Sequence, residues 1–175
     1  AVVKHTVVPK EMFEAVLRAR PFDCEEDAIH AVLTHEIQPG DAVIIRYEGP
    51  KGSGMPEMFY TTEAIASDAT LGASIALLTD GRFSGASKGP AISPEAAQGG
   101  PIALVEENDL IEISISNRVL RIVGVNGERK SEEEMEAILK ERKSRWQPRE
   151  NKYTKGVLKQ FAEKAVSPMK GGYME

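Results

Sequence analysis

Short apolar runs that end at turn signals fill the middle of the chain, and this pattern constrains the fold more than any other feature. Residues 42–47 follow a Pro-Gly-Asp turn, and residues 110–115 alternate apolar and polar side chains as a half-buried strand does. Asn126 and Gly127 add a further turn signal. Other strand candidates are residues 74–79, 101–105 and 119–125. The middle of the chain is therefore predicted to be rich in strands.

Helices are predicted before this strand-rich region. A first helix is expected over residues 10–19, where four apolar side chains fall on one helical face. These are Met12, Phe13, Val16 and Leu17. Pro9 suits the first turn of that helix. A second helix is expected after Asp23, because Asp23 can cap it and Glu26 lies three residues on, as in a capping box.

Two more helices are predicted towards the other end of the chain. Ser131 and Glu134 begin a charged amphipathic helix, and residues 157–166 form the last one. Between them, the polar residues 147–153 form a solvated connector. We expect a mixed α/β fold, either a mixed sheet or a small closed barrel flanked by helices. Residues 1–146 are expected to form one domain, and the connector, last helix and tail at 147–175 are expected to pack on it.

Composition narrows the function classes. A net charge of −5 over 175 residues means that basic side chains are not in excess, so nucleic acid is not an expected partner. No apolar run is long enough to span a membrane and no signal peptide opens the chain, so no membrane partner is expected. Cys24 is the only cysteine, which excludes an internal disulfide and favours the reducing cytoplasm. Ala1, followed at once by two valines, looks like a cut from a longer protein, although methionine removal is an alternative.

Two glycine-rich segments, residues 47–58 and 79–87, follow predicted strands and are the first candidates for a site. Glycine lets the backbone approach a ligand closely, and loops at strand ends commonly carry sites. Tight turns alone would also explain both segments. The first segment contains a Lys-Gly-Ser-Gly sequence, but it lacks the spacing of a phosphate-binding Walker loop, so nucleotide binding is not supported.

Four motifs, in order, resemble the dihydroxy-acid dehydratase and phosphogluconate dehydratase family. They are IRYEGPK at 45–51, GMPEM at 54–58, LTDGRFSG at 78–85 and SPEAAQGGPIALV at 93–105. The resemblance extends over nearly the whole chain. It implies the carboxy-terminal domain of that family, a swivelling β-barrel-like module in which a mixed sheet is flanked by helices (β/β/α).

The resemblance also implies a hydro-lyase reaction in which a 2,3-dihydroxy acid loses water and becomes a 2-keto acid. It assigns Glu57 as a magnesium ligand and Ser84 as the serine that abstracts the proton. Arg82 is expected either to balance the charge near that serine or to form an ion pair with Asp80. Without the resemblance, Glu57 would be interpreted as a solvated loop acid and Ser84 as a hydroxyl that caps a turn.

One cysteine cannot hold an iron–sulfur cluster. The resemblance implies that a 2Fe-2S or 4Fe-4S cluster, and the other magnesium ligands with a modified lysine among them, come from the missing amino-terminal domain. Cys24 is expected to be a partly buried structural thiol, and no metal-ligand spacing links His5, His30 and His35. Family members carry a Gly-His-Val-like insertion between the equivalents of Ile92 and Ser93, which this chain lacks.

The leading hypothesis is a domain of a branched-chain amino-acid biosynthetic dehydratase that acts as a homodimer when full length. Its expected partners are a small dihydroxy acid and its own amino-terminal domain. Glu57 and Ser84 are expected on neighbouring loops at one end of the sheet, and the isolated chain is expected to fold but to be inactive. The alternatives are a sugar-acid (aldonate) dehydratase, suggested by residues 59–62 and the Gly-Gly-Tyr-Met-Glu ending, and a non-catalytic binding or assembly module.

Overall fold

Eight strands and five α-helices are present in the computed structural model, which describes residues 1–3, 8–83 and 94–175. The strands are β1 (Glu14–Phe22), β2 (Asp41–Ile45), β3 (Glu57–Met58), β4 (Ala76–Thr79), β5 (Arg82–Phe83), β6 (Leu110–Ser114), β7 (Val119–Val125) and β8 (Glu128–Arg129). The helices are α1 (Glu25–Leu33), α2 (Pro50–Ser53), α3 (Tyr60–Ser67), α4 (Glu132–Arg145) and α5 (Gly156–Lys164). Short 3-10 turns connect several of these elements, including Lys10–Met12, Ala96–Gln98 and Pro101–Leu104.

Six strands form one mixed sheet in the order β4-β2-β1-β6-β7-β8. The half containing β4, β2 and β1 is parallel, whereas β1, β6, β7 and β8 pair antiparallel. β3 and β5 form a separate parallel ladder of two strands. The expected mixed sheet with flanking helices is confirmed, and over the described residues it stays open and does not close into a barrel.

The core covers the parallel half of the sheet on both faces. Val43 and Ile45 of β2 pack in a cluster with residues of α1 and α3, whereas Ala42 and Ile44 point into a second cluster with Ile102. Every residue of β2 is buried as a result. This burial on both faces is typical of parallel strands whose crossovers place helices on the sheet.

The helix predicted over residues 10–19 is wrong. Only Lys10–Met12 is helical, as one 3-10 turn, and Glu14–Phe22 is the longest strand. Leu17 and Ala19 are buried while Arg18 lies more exposed, so the side chains alternate with the period of a strand. β1 pairs with β2 on one side and β6 on the other, and these long-range hydrogen bonds override the local helical pattern.

Two further local predictions are wrong for identifiable reasons. Cys24, not Asp23, is the N-cap of α1, and the Asp23 carboxylate instead forms ion pairs with Arg46 and Arg149. The strand predicted over residues 101–105 is also wrong, because Pro101–Leu104 forms a 3-10 turn. The carbonyl oxygens of that segment accept hydrogen bonds from arginine side chains, as in the 2.8 Å bond from Arg46 Nη1 to Val105 O.

Other elements match their predictions. Both hydrogen bonds of the capping box between Ser131 and Glu134 are present at the start of α4. β2, β4, β6, β7 and α5 lie within one or two residues of the predicted segments. Within the described ranges, no helix combines the length and apolar character that crossing a membrane requires.

Candidate active site

The β3–β5 ladder brings the two glycine-rich segments together. Glu57 lies opposite Arg82, and Met58 lies opposite Phe83. Met58 is fully buried, whereas the side chains of Glu57 and Arg82 are exposed. Because side chains alternate along a strand, the buried Met58 anchors the ladder and leaves the Glu57 carboxylate at the surface. A ligand approaching this surface can therefore reach Glu57.

Arg82 interacts with the first loop and not with Asp80. Its Nε donates a hydrogen bond to the carbonyl oxygen of Met55 at 3.1 Å. The carboxylate of Asp80 instead accepts hydrogen bonds from backbone N–H groups. Arg82 is thus tied to the first loop and forms no ion pair with Asp80, and its charge-balancing role near Ser84 stays a prediction.

Ser84 directly follows β5 but lies outside the described residues, and so do the positions on either side of the short Ile92–Ser93 junction. The role of Ser84 and its expected proximity to Glu57 therefore stay predictions. What the structure does establish is that the strand leading to Ser84 pairs residue by residue with the strand carrying Glu57.

The backbone of the first loop is strained at two residues other than glycine. Tyr47 has φ of 66° and Met55 has φ of 54°, both in the left-handed region that side chains with a Cβ rarely adopt. Such conformations persist only where surrounding contacts hold them, and they cluster at functional sites. Arg82 holds this loop at the Met55 carbonyl oxygen, and buried carboxylates hold it at residues 47–52.

Asp80 is the first of these carboxylates. It is 2% exposed, and its side chain accepts hydrogen bonds from the backbone N–H groups of Tyr47, Glu48 and Ala96 at 3.0, 3.1 and 2.7 Å. Burial raises the pKa of Asp80 to about 6, even though these N–H groups favour the charged form. Asp80 thus connects the first loop to the segment that follows residue 93.

Glu95 is the second. It is fully buried, and its carboxylate accepts hydrogen bonds from the backbone N–H groups of Lys51, at 2.9 and 3.1 Å, and Gly52, at 3.3 Å. Burial, together with the nearby Asp80 charge, raises the pKa of Glu95 to about 7. A Cβ on Gly49 would collide with the Glu95 carboxylate, so glycine at position 49 permits this close approach.

Glu48 is the third, and it connects the loop to the connector before α5. Its Oε2 accepts a hydrogen bond from the Ser53 hydroxyl at 2.7 Å, and its Oε1 lies 3.2 Å from Lys152 Nζ. Lys152 also forms an ion pair with Glu26 of α1. Burial opposes the charge of Lys152, but the two carboxylates outweigh it and raise the lysine pKa.

Cys24 does not fit the role of a cluster ligand. Its thiol is free, and burial, with Asp27 and Glu26 nearby, raises its pKa to about 11. Iron–sulfur clusters are bound by thiolates, and this environment favours the protonated thiol. His30 is exposed on α1, as predicted, and His5 lies outside the described residues.

A magnesium ligand role for Glu57 fits the surroundings only as part of a shared site. Across residues 1–3, 8–83 and 94–175, no three His, Cys, Asp or Glu side chains are grouped so as to hold a metal ion. Mg²⁺ commonly retains several waters and takes one or two protein carboxylates. An exposed single carboxylate such as Glu57 can therefore contribute one ligand to a site completed by other groups.

An apolar cavity of about 540 Å³ lies elsewhere, against the sheet. Its walls include Ile44, Leu78, Ile111 and Ile122, and neither Glu57 nor Arg82 lines it. Glu57 and Arg82 thus belong to the ladder surface and not to this cavity.

Comparison with protein-family models shows which family the chain belongs to. Residues 1–172 match the family described as dihydroxy-acid/6-phosphogluconate dehydratase C-terminal. The chain belongs to this family. The dehydratase resemblance predicted from the four motifs is therefore confirmed, and all four motifs lie within the matched residues.

Individual members of the dehydratase family match over almost the whole chain. The dihydroxy-acid dehydratase of Agathobacter rectalis is 51% identical over 178 residues, covering 99% of this chain. The proteins of the same name from Lachnoclostridium phytofermentans and Ignicoccus hospitalis are 50% and 46% identical, covering 99% and 100% of it. The chain spans 30% of the length of each of these relatives.

Sequence reasoning missed the buried carboxylates Glu48, Asp80 and Glu95 as parts of the site. Each lies inside one of the quoted motifs, and two of them directly precede a glycine. An acidic residue next to a glycine at the end of an apolar strand could have indicated such a carboxylate. A carboxylate accepts hydrogen bonds from backbone N–H groups only where the main chain comes close, and glycine permits that approach.

Proposed function

We propose that the full-length protein containing this chain is a hydro-lyase that converts a 2,3-dihydroxy acid into a 2-keto acid. The observation that carries the proposal is the β3–β5 ladder, which places the exposed Glu57 beside the strand that leads to Ser84. Family membership and the shared name of the relatives support the same reaction. The part of the protein beyond this chain would complete the site.

In this proposal the chain supplies three functional groups, Ser84, Arg82 and Glu57. The Ser84 alkoxide takes the proton from C2 of the substrate, and the hydroxyl on C3 departs as water by taking up that proton, which restores the alkoxide. The resulting enol becomes the 2-keto acid by moving a proton to C3. A serine hydroxyl is a weak base, so positive charge is needed nearby, and Arg82 lies two residues away on the ladder.

Two cofactors belong to the proposal. Mg²⁺, bound in part by Glu57, would stabilise the negative charge that develops on the substrate oxygens. An iron–sulfur cluster, of the 2Fe-2S or 4Fe-4S type, would be held entirely by the region beyond this chain, since Cys24 does not fit a ligand role. For the same reason we expect the isolated chain to be inactive.

The finer assignment is to branched-chain amino-acid biosynthesis, with a homodimer as the full-length form. The name shared by the relatives supports a dihydroxy acid as the substrate class, and the branched-chain type is the finer assignment that we propose. An aldonic acid is the second candidate substrate, because the matched family also includes 6-phosphogluconate dehydratases.

The test is to assay the full-length protein with a panel of 2,3-dihydroxy acids and aldonic acids and to measure 2-keto acid formation. Turnover of a branched 2,3-dihydroxy acid is expected, with loss of activity in Glu57→Gln. Glu63→Gln, an exposed glutamate of α3, is the matched control and should retain wild-type activity. Turnover of aldonic acids alone would overturn the substrate assignment, and no turnover of either class would overturn the reaction.

A further inference from the structure

Asp80 connects three described segments of the chain. It lies at the end of β4, just before β5, and its carboxylate accepts the Ala96 N–H across 16 residues at 2.7 Å. The same carboxylate accepts hydrogen bonds from the N–H groups of Tyr47 and Glu48 in the first glycine loop. One side chain therefore fixes the end of β4, the first glycine loop and the 3-10 turn at Ala96–Gln98 relative to one another.

Glu95 adds a second fixed point. Its acceptors face the N–H groups of Lys51 and Gly52 in the first turn of α2. α2 ends at Ser53, and the chain then enters the strand carrying Glu57. The Glu95 carboxylate therefore fixes the position of α2, from which the chain continues to Glu57 in β3.

The two contacts require acceptor oxygens on side chains of this length, and Asp80 requires two of them. Within the described residues, both acids bond to backbone N–H groups and not to cationic side chains. Asp80 uses both oxygens, one on Glu48 and the other on Tyr47 and Ala96. An asparagine has one acceptor oxygen, so its amide group would face one of these N–H donors.

We propose that Asp80 and Glu95 are positioning residues for the dehydration, because their carboxylates hold the first glycine loop, which leads to Glu57, against the segment that begins at residue 94. They act through Glu57 and do not contact the substrate. The inference rests on the proposed function for its catalytic consequence, while the contacts themselves stand independently of it. A displacement of about 1 Å at a reacting group can reduce turnover on the order of 100-fold, so small loop shifts are consequential.

The experiment compares Asp80→Asn and Glu95→Gln with wild type in the full-length protein. Asp80→Asn is expected to lower kcat on the order of 100-fold with KM changed less than about threefold, because the loops shift while substrate binding groups remain. Glu95→Gln retains side-chain length and one acceptor that can face both N–H groups, so it should retain kcat within about tenfold. Glu95→Ala should fall to the Asp80→Asn level, and Glu63→Gln serves as the unaffected control.

Backbone hydrogen exchange separates this inference from the reaction itself. In Asp80→Asn, the Tyr47, Glu48 and Ala96 amides should exchange at least about tenfold faster, while the amides of β6 and β7 remain protected. If the wild-type protein lacks dehydratase activity but the amides respond in this way, the proposed function fails and the positioning contacts stand. Unchanged exchange at these amides, or Asp80→Asn with wild-type kcat, would overturn the inference. If Asp80→Asn unfolds, the amides of β6 and β7 lose their protection as well. The comparison of Glu95→Gln with Glu95→Ala then takes its place, and equal kcat values for these two variants would overturn the inference.

Discussion

The two halves of the sheet are stabilised in different ways. In the antiparallel half, β6 and β7 are neighbours in sequence and share exposed contacts such as the ion pair between Arg121 and Glu112, while the buried ion pair between Asp109 and Arg142 attaches α4. In the parallel half, β2 and β4 lead into loops fixed by buried carboxylates whose partners lie 16 to 44 residues away. The β6–β7 pair is thus specified locally, whereas the half bearing the candidate site depends on distant contacts.

This difference separates stability from activity. Substitutions in the antiparallel half and α4 should change the free energy of unfolding and leave catalysis intact. Substitutions in the glycine loops should change catalysis more than stability. Substitutions in each half test whether stability and activity depend on different parts of the sheet.

The largest effect is expected at Ser84. In the full-length protein, Ser84→Ala should lower kcat by about 1,000-fold or more, because a positioned general base typically contributes 10²–10⁴-fold. Magnesium content and the unfolding midpoint should remain close to wild type, since the change removes one hydroxyl. Residual activity within about tenfold of wild type would assign proton abstraction to another group.

The next effect concerns the buried ion pair between Asp109 and Arg142, which connects the antiparallel half to α4. Arg142 donates to both carboxylate oxygens, with Nη2 to Oδ1 at 2.9 Å, and both side chains are almost fully buried. Asp109→Ala leaves the arginine buried without this partner, so urea unfolding of the chain should show a loss of about 3–5 kcal/mol. Glu106→Gln, in which the acid is about half exposed, is the control and should cost less than about 1 kcal/mol.

A third prediction uses pH to probe the loop side. The pKa of Glu95 is about 7 in the folded chain and near 4.5 when unfolded, so the folded state binds more protons between these values. Glu95 therefore contributes stability that is fully present below pH 4.5 and is lost as the pH rises through 7. Asp80, with a pKa of about 6, adds the same trend over a lower window starting near 3.8.

The measurement is the free energy of unfolding of wild type and Glu95→Gln from pH 4 to 8. The variant should show a shallower decline between pH 4.5 and 6, where Asp80 alone still contributes, and should lose the Glu95 decline between pH 6 and 7. Lys51 and Asp80 face the Glu95 carboxylate, and neither is altered by this change. Parallel curves for the two proteins would contradict the raised pKa.

The smallest effect is expected at the capping box of α4. Ser131→Ala removes the acceptor for the Glu134 N–H and should destabilise the chain by about 1 kcal/mol without changing kcat of the full-length protein. Ser116→Ala, at an exposed turn position, is the control and should be neutral. A change in kcat on Ser131→Ala would break the division between the two halves.

The same division explains which features the sequence predicted. The capping box of α4, β7 and the Asn126-Gly127 turn are determined by neighbouring residues, and all were predicted correctly. β1 was predicted as a helix, because its strand conformation depends on pairing with β2 and β6, whose residues lie far along the chain. Local periodicity cannot contain that information.

For the candidate site, the motifs predicted Glu57, Ser84 and Arg82, but not the acids that fix their loops. The contacts of Asp80 with Ala96 and of Glu95 with Lys51 form only because the carboxyl ends of the parallel strands β2 and β4 lie side by side in the folded sheet. The Asp23 cap failed for a related reason, since Arg46 and Arg149 compete for its carboxylate. Long-range polar contacts are thus the part of this fold that a single sequence does not reveal.

The separation of the β3–β5 ladder from the six-stranded sheet has an evolutionary consequence. Because β3 hydrogen-bonds only to β5 among the described strands, insertions or substitutions there break no ladder bond of the main sheet. Selection can therefore change the exposed ladder residues Glu57 and Arg82 while the hydrogen bonds of the main sheet stay under separate, purifying constraint. A domain built in this way can diverge in substrate preference along a path of folded intermediates.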